Sequence, residues 1–116
     1  MGATFSTQLP LLAIRVVITA DVSASYNYTT TRSLRIVDVM GYKNAVAGGA
    51  GDTLQVLNVA AAISDVVVLN VAANTVFRAL EVNQTNAPIA SGGTLRITMV
   101  QVTNTGCEAV VQCLAG

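Results

Sequence analysis

Apolar residues alternate with other residues along most of this chain, and this period of two constrains the fold more than any other feature. Between residues 12 and 18 an apolar side chain stands at every second position, and SLRIVDVMGYK (33–43) is a second long segment of this kind. Successive side chains of a β-strand point to opposite faces, so this alternation indicates strands. No segment has a convincing helical period. The pattern therefore predicts an all-β protein.

Turn residues, chiefly Gly, Asn, Asp and Ser, divide the alternating segments into about seven or eight strands. The predicted strands cover 11–22, 33–43, 52–59, 62–71, 75–82, 95–102 and 107–116. In the second of them we expect Leu34, Ile36 and Met40 to share one face. A change of phase after Met99 predicts a β-bulge near that residue.

The length of 116 residues favours one domain. Residues 1–10 are mostly small or polar, and Pro10 prevents them from joining a central strand, so we expect an N-terminal arm. Residues 11–116 then form a single antiparallel β-sandwich, similar to a jelly roll. Evenly spaced short strands with frequent turns are typical of that architecture.

The hexapeptide VLNVAA occurs twice, at residues 56–61 and 68–73. The offset between the copies equals one strand plus one turn, and only two good copies are present, whereas a solenoid needs at least three units. We therefore expect sister strands in one sheet rather than a repeat array.

The segment DVVVLNV (65–71) is apolar on both sides of the predicted strand. An outer strand of a free two-layer sandwich is normally polar on the side that faces water. Both sides of this strand are therefore expected to be covered, one by the core and the other by a second subunit. The alternative is that a loop or the N-terminal arm folds over it.

The low content of charged residues restricts the kinds of partner that we expect. Charged residues make up 10% of the chain, where about 25% is usual, and the net charge is zero. So few charges do little to keep copies apart, and we therefore expect protein partners to cover much of the surface. The basic residues are scattered, which argues against nucleic acid. No apolar run is long enough to span a membrane and the N-terminus lacks the basic region of a signal peptide, so we expect no membrane partner and synthesis in a cytoplasm.

The residue types needed for common catalytic and metal sites are sparse. Histidine does not occur in the sequence, which excludes Ser-His-Asp and Cys-His catalysis, and two cysteines are too few for a structural zinc. The acidic residues stand singly, without the spacing of a calcium loop. GGAGD (48–52) lacks the Lys-Ser/Thr of a phosphate loop and is expected to connect two strands. We therefore expect no enzyme, no cofactor and no metal site.

Cys107 and Cys113 lie six residues apart in the last predicted strand. That spacing corresponds to about 20 Å in an extended chain, which is too far for a disulfide between them. We expect two small buried hydrophobic residues. A cross-chain disulfide or a reactive thiol is the alternative.

Two groups of residues are candidates for contact with a partner. The first group lies in and directly after the arm and would dock on another subunit: Phe5, Leu9, Leu11 and Leu12. The second is Tyr26 and Tyr28, in a polar loop that we expect over residues 23–33. Exposed aromatic residues in loops stack on sugars or fill protein pockets, and ordinary packing is the alternative.

Residues 36–100 resemble the capsid decoration, or cement, proteins of tailed bacteriophages. The resemblance lies in the consecutive layout IVDVMGYK, GGAGDTLQVLN, AISDVVVLNV, VFRALEV and NAPIASGGTLRITMV. It implies a non-enzymatic structural protein of the virion, with a β-sandwich or jelly-roll body, that assembles in the host cytoplasm as a trimer or dimer. Such a protein binds the major capsid protein on the capsid exterior and bridges neighbouring capsomers.

No functional residue carries over from this resemblance, because the family has no motif that fixes one. The alternative function is a carbohydrate-binding or receptor-binding β-sandwich, either a module of a phage tail or fibre or one similar to an adhesin. In that case the loop with Tyr26 and Tyr28 would hold the glycan.

Overall fold

Two antiparallel β-sheets face each other in the computed structural model, which describes residues 3–8, 13–18, 23–43, 51–100 and 107–115. The longer strands are β1 Ala3–Gln8, β2 Ala13–Ile18, β3 Ala24–Thr29, β4 Leu34–Lys43, β5 Thr53–Asn58, β10 Thr94–Val100 and β11 Cys107–Ala115. The shorter ones are β6 Ala61–Ala62, β7 Val67–Val68, β8 Val76–Arg78 and β9 Pro88–Ile89. These ranges contain no helix, so the predicted all-β class is confirmed.

The order of the strands is that of a jelly roll. The first sheet runs β1-β2-β11-β4-β8 with β9 also paired to β4, and the second runs β3-β10-β5-β6 with β7 also paired to β5. We count β6 and β7 as one interrupted strand, and β8 and β9 as another. The chain then changes sheets at nearly every connection, as in the two Greek keys of an eight-stranded jelly roll. The predicted antiparallel sandwich is confirmed, and β1 is an additional edge strand.

The core lies between the sheets and is filled by alternate residues of the long strands. In β2 and β10 every second side chain is buried: Ile14, Val16, Ile18, Leu95, Ile97 and Met99. The intervening side chains of both strands are half-buried or exposed. This is the arrangement that the period of two predicts, because one face of each sheet is removed from water.

A β-bulge in β4 changes which of its residues face the core. Ile36 pairs with Cys113 but Asp38 pairs with Gln112, so Val37 is the additional residue. The bulge reverses the alternation, and the core receives Ile36 and then Val39. The expectation that Met40 shares a face with Ile36 is therefore wrong.

The bulge expected near Met99 is not present in the described part of β10. That strand pairs without a register shift with β3 up to Met99 and with β5 up to Val100. Val102, whose phase suggested the bulge, lies outside the described residues.

Much of the expected N-terminal arm is part of the sheet. The backbone of β1 pairs antiparallel with β2, from Ala3 beside Ile18 to Gln8 beside Ala13. Pro10 follows the strand, so it removes no hydrogen bond from this ladder. Short polar residues suit a strand at the edge of a sheet, and this is where β1 lies.

The polar segment expected to be a loop over residues 23–33 contains strand β3. β3 pairs with β10 along six residues. Its outer side chains bond to those of β10: Ser25 Oγ lies 3.1 Å from Thr98 Oγ1, and Arg96 Nε donates to Asn27 Oδ1 at 2.9 Å. Polar residues here alternate on the water-facing side of an edge strand, a pattern that also resembles a loop in sequence.

The two copies of VLNVAA lie in the same sheet but have different structures. The first copy begins in β5, where Val56 is fully buried, whereas the corresponding Val68 in β7 is exposed. Leu57 is half-buried and Leu69 is fully buried, so the inward phase is opposite in the two copies. β7 does pair with β5, as expected for sister strands, but only through two residue pairs.

Candidate protein interface

Several of the most exposed large apolar side chains of the described chain line one groove. Val66 is 52% exposed, Val68 59%, Val76 68% and Leu80 90%. The groove has a volume of about 300 Å³ and opens between β7, at the edge of the second sheet, and β8, at the edge of the first. We call it the seam groove, because it lies where the two sheets part.

Backbone hydrogen bonds between the sheets close one end of the seam groove. Asn83 N–H donates to the carbonyl of Ile63 at 2.6 Å, and Asp65 N–H donates to the carbonyl of Glu81 at 3.4 Å. Ser64 and Val82 form an isolated bridge between these two bonds. The chain around residue 64 has therefore turned away from β5 to bond with the opposite sheet.

A local irregularity explains this turn. The N–H groups of Ile63 and Ser64 both donate to the carbonyl of Val56, at 2.9 and 3.0 Å. The Ser64 hydroxyl accepts a hydrogen bond from Val56 N–H at 2.9 Å, and it donates to the carbonyl of Asp65 at 2.8 Å. Two residues opposite one is the pattern of a β-bulge, which bends the strand. The bend separates β6 from β7.

The side chain of Asp65 ends the bonding between the sheets. Its Oδ1 accepts hydrogen bonds from the backbone N–H groups of Leu80 at 3.0 Å and Glu81 at 3.2 Å. A carboxylate thus stands where a continued ladder would place a backbone carbonyl. Beyond Asp65, the described strands β7 and β8 do not pair with each other, and residues of both line the groove.

On one side of the groove, β8 leaves its outer backbone edge unpaired in the described structure. Lys43 N–H donates to the carbonyl of Thr75 at 2.8 Å, and Phe77 lies opposite Gly41 in the same ladder. Because backbone groups of successive strand residues point to opposite sides, the N–H and C=O groups of Val76 and Arg78 point away from β4. They face the groove.

β7 has the same property on the other side. Leu69 N–H donates to the carbonyl of Asp52 at 2.8 Å, which continues the pairing of β7 with β5. Val68, which lies between Val67 and Leu69, therefore directs its backbone N–H and C=O groups away from β5. The seam groove is bounded by two strand edges, each with backbone donors and acceptors and apolar side chains.

The charges near the groove are compensated within the chain. Arg78 donates from Nη2 and Nε to the Asp38 carboxylate, at 2.5 and 3.2 Å. This hydrogen bond and the negative charge of Asp38 raise the pKa of Arg78, so the guanidinium stays protonated. Asp65 is engaged by two backbone amides. The groove therefore favours an uncharged partner.

The predicted contact residues that the structure describes do not line this groove. Tyr26 and Tyr28 are half-buried on β3 and pack against the core. Phe5 belongs to β1, at the opposite edge of the first sheet, and Leu9, Leu11 and Leu12 lie outside the described residues.

The doubly apolar segment 65–71 was the sequence signal that marked one wall of the groove. Its inner side is covered by the core, as expected, whereas Val66 and Val68 on its other side are exposed in the single chain. Val76 and Leu80 were missed, because alternation alone does not distinguish a covered outer face from an open one.

A second group of polar residues lies inside the sandwich. Lys43 and Asp52 are fully buried, and Cys107 pairs with Lys43 across β11 and β4. Burial lowers the pKa of Lys43, and the negative charge of Asp52 opposes that shift. Burial also raises the pKa of Cys107 to about 11, so its thiol is protonated at neutral pH. These groups face the interior rather than the seam groove.

The described residues contain no cluster of side chains suited to hold a metal ion. They also contain no helix with the length and hydropathy that a membrane crossing requires. No protein-family model, no curated protein and no solved structure matches this chain.

Proposed function

We propose that this chain is a structural protein of a tailed-bacteriophage virion, one that binds the outer surface of the capsid and bridges neighbouring capsomers. The observation that carries the proposal is the seam groove, an exposed apolar surface bounded by two strand edges that have no strand partner among the described residues. Contiguous apolar surface of this kind marks sites of protein association. The low charge of the chain and the resemblance of residues 36–100 to decoration proteins support the same role.

The fold is compatible with this role but does not select it. Jelly rolls occur in viral capsid proteins and also in lectins, so function has to be argued from the surface. A glycan site needs polar groups beside an accessible aromatic face, whereas the groove is lined mainly by valine and leucine and both β3 tyrosines pack against their own core. This chemistry favours a protein partner over a sugar.

The stabilising effect would be additive over the shell. Each copy buries apolar surface worth about 25 cal/mol per Å² at its contacts with the major capsid protein and with neighbouring copies. Symmetry repeats the same contact at every equivalent position of the shell. A modest interface per copy therefore gives a large total resistance to disruption of the capsid.

Binding to empty shells tests the proposal. The gene for the major capsid protein is expected near the gene for this chain, and shells assembled from that protein are the probe. We expect the purified chain to co-sediment with the shells to a stoichiometric limit and to raise their temperature of disruption. A chain that stays in the supernatant at every ratio would exclude the role.

A matched pair of variants identifies the surface. Leu80→Lys places a charge at the groove, whereas Leu114→Lys makes the same change at an exposed leucine at the end of β11. We expect Leu80→Lys to lose most of the shell protection and Leu114→Lys to retain it. If the two variants protect the shells equally, the groove is not the surface that binds the capsid.

A further inference from the structure

We propose that the seam groove receives strand β1 of a second copy of this chain, so that copies join head to tail through their first sheets. The inference rests on the proposed structural role and names one of the neighbours that the role requires. It follows from three properties of the described residues: backbone groups at the groove that have no strand partner, walls that are largely apolar with their charges compensated within the chain, and the open edge of β1 at the opposite end of the same sheet.

The backbone of the groove selects an extended polypeptide. Val76 and Arg78 on one wall present N–H and C=O groups at the spacing of a strand, and Val68 presents the same groups on the other wall. A peptide in β conformation supplies complementary groups at the same spacing, whereas a lipid or a small apolar ligand would leave these groups without partners. Addition of a strand to an exposed sheet edge is an established mode of peptide recognition.

The side chains of the groove restrict the composition of that strand. The outward residues Val68, Val76 and Leu80 are apolar, and the charge of Arg78 is compensated by Asp38 of the same chain. A charged residue on the incoming strand would lose hydration there without gaining an opposite charge. An uncharged strand is therefore required.

Strand β1 meets this requirement. Its sequence ATFSTQ carries no charge and no proline over six residues, and in the described structure it pairs on one side only, with β2. Edge strands are usually protected from pairing by a lysine, a proline or a bulge, and Ala3–Gln8 has none of these. Among the described residues, β1 is thus an edge without these protections, and it carries no charge into the groove.

Topology makes the two edges complementary between copies. β1 and β8 are the opposite ends of the path β1-β2-β11-β4-β8, so β1 of one copy beside β8 of the next continues the sheet across the contact. The two surfaces of such a contact are different, and contacts of this type close into a ring or extend into a row. Each copy has one β1 edge to donate and one groove to accept it.

The oligomeric state of the full chain in solution is the first measurement. Analytical ultracentrifugation over a wide concentration range is expected to show multiples of 11.9 kDa. Leu80→Lys is expected to give the monomer mass, while the control Leu114→Lys gives the wild-type mass. A wild-type chain that is monomeric throughout, or a Leu80→Lys variant that assembles as the wild type does, overturns the proposal.

Proline variants of β1 remove the donor edge. Ser6→Pro and Thr7→Pro are prepared as two separate single variants. The N–H groups of neighbouring strand residues point to opposite sides, so only one of the two replacements leaves the hydrogen bonds to β2 intact. Thermal unfolding identifies that variant by its retained stability. It is expected to be monomeric, and a folded variant that still assembles contradicts the role of β1.

Mixing the two defective chains distinguishes this contact from others. The proline variant retains the groove and Leu80→Lys retains β1, so an equimolar mixture is expected to form a dimer of twice 11.9 kDa and to stop there. A mixture that stays monomeric overturns head-to-tail assembly. A wild-type chain that is monomeric but binds shells would overturn head-to-tail assembly and leave the proposed function intact. A chain that assembles head to tail but does not bind shells would support the assembly and exclude the proposed function.

Discussion

Oδ1 of Asp65 lies 3.0 Å from the backbone nitrogen of Leu80 and accepts its hydrogen bond. The same oxygen accepts the N–H of Glu81. One carboxylate thus ends the hydrogen bonding between the two sheets and defines the closed end of the seam groove. The position of the candidate interface depends on this contact.

Asp65→Ala is expected to destabilise the fold by about 2 kcal/mol, because two backbone amides lose a charged acceptor. Asp65→Asn keeps an oxygen at the same position and is expected to lose less. Urea unfolding of the two variants beside the wild type measures the difference. An alanine variant as stable as the wild type would show that water replaces the carboxylate at no cost.

Gly41→Ala is expected to destabilise the protein by about 2 to 3 kcal/mol, as overpacking of a core does. A Cβ at this position of β4 would overlap the ring of Phe77 and would lie 2.5 Å from the carbonyl oxygen of Glu108. Gly92→Ala is the control. Gly92 has a φ of 81°, and a Cβ added there would meet no atom within 4 Å, so only backbone strain of about 1 kcal/mol opposes the change. Thermal unfolding that ranks Gly92→Ala as the more harmful change would contradict the packing argument.

The ion pair between β2 and β11 is expected to make stability depend on pH below the ordinary pKa of a glutamate. Arg15 Nη2 donates to Glu108 Oε2 at 2.9 Å, and this contact holds the pKa of Glu108 below its usual 4.5. A carboxyl group whose pKa is lower in the folded state stabilises the fold above the unfolded pKa, and the effect is lost as the pH falls through the folded pKa.

Glu108→Gln isolates this contribution. We expect the variant to be slightly less stable than the wild type at neutral pH, since both partners are partly exposed and water screens the pair. The difference should shrink as the pH falls below 4.5 and as salt is added. A difference that stays constant across this range would mean that packing, and not charge, is the cause.

Cys107 and Cys113 are expected to be unreactive in the folded protein. Both are free and buried, and desolvation raises the pKa of each thiol to about 11. At pH 8 the thiolate fraction is then about one in a thousand. Ellman's reagent should react slowly with the native chain and rapidly with both thiols in denaturant, whereas fast native labelling would support the alternative of a reactive cysteine.

Tyr26→Phe is expected to raise the free energy of unfolding by about 1 kcal/mol, because the hydroxyl is buried without a hydrogen-bond partner among the described residues. Tyr28→Phe is the control in the same strand. It is expected to give no gain, because the Tyr28 hydroxyl is not among the described buried groups that lack a hydrogen-bond partner. A loss of stability in Tyr26→Phe would indicate that the hydroxyl has a partner after all.

Alternation predicted the class of fold because it reports a local property of the backbone. A residue in a strand points to the side opposite its neighbour, so β2 and β10 could be placed and their buried residues named from sequence. The residues of β4 that face the core could not all be predicted from sequence. The bulge at Val37 arises from pairing with β11, a strand that is distant in sequence. β1 and β3 were missed because an edge strand that is polar on one side resembles a loop.

The candidate interface, like the fold, could be predicted from the sequence only in part. The doubly apolar segment around Val68 pointed to a partner, but the wall formed by Val76 and Leu80 carried no sequence signal of its own. The sequence by itself determined that this chain is a β-sandwich with few charges, because alternation and composition are properties of single strands and single side chains. Only the tertiary structure decided which apolar residues stay in water. The two copies of VLNVAA bury opposite sets of side chains. The neighbouring strands, and not the six residues themselves, determine which side chains are buried.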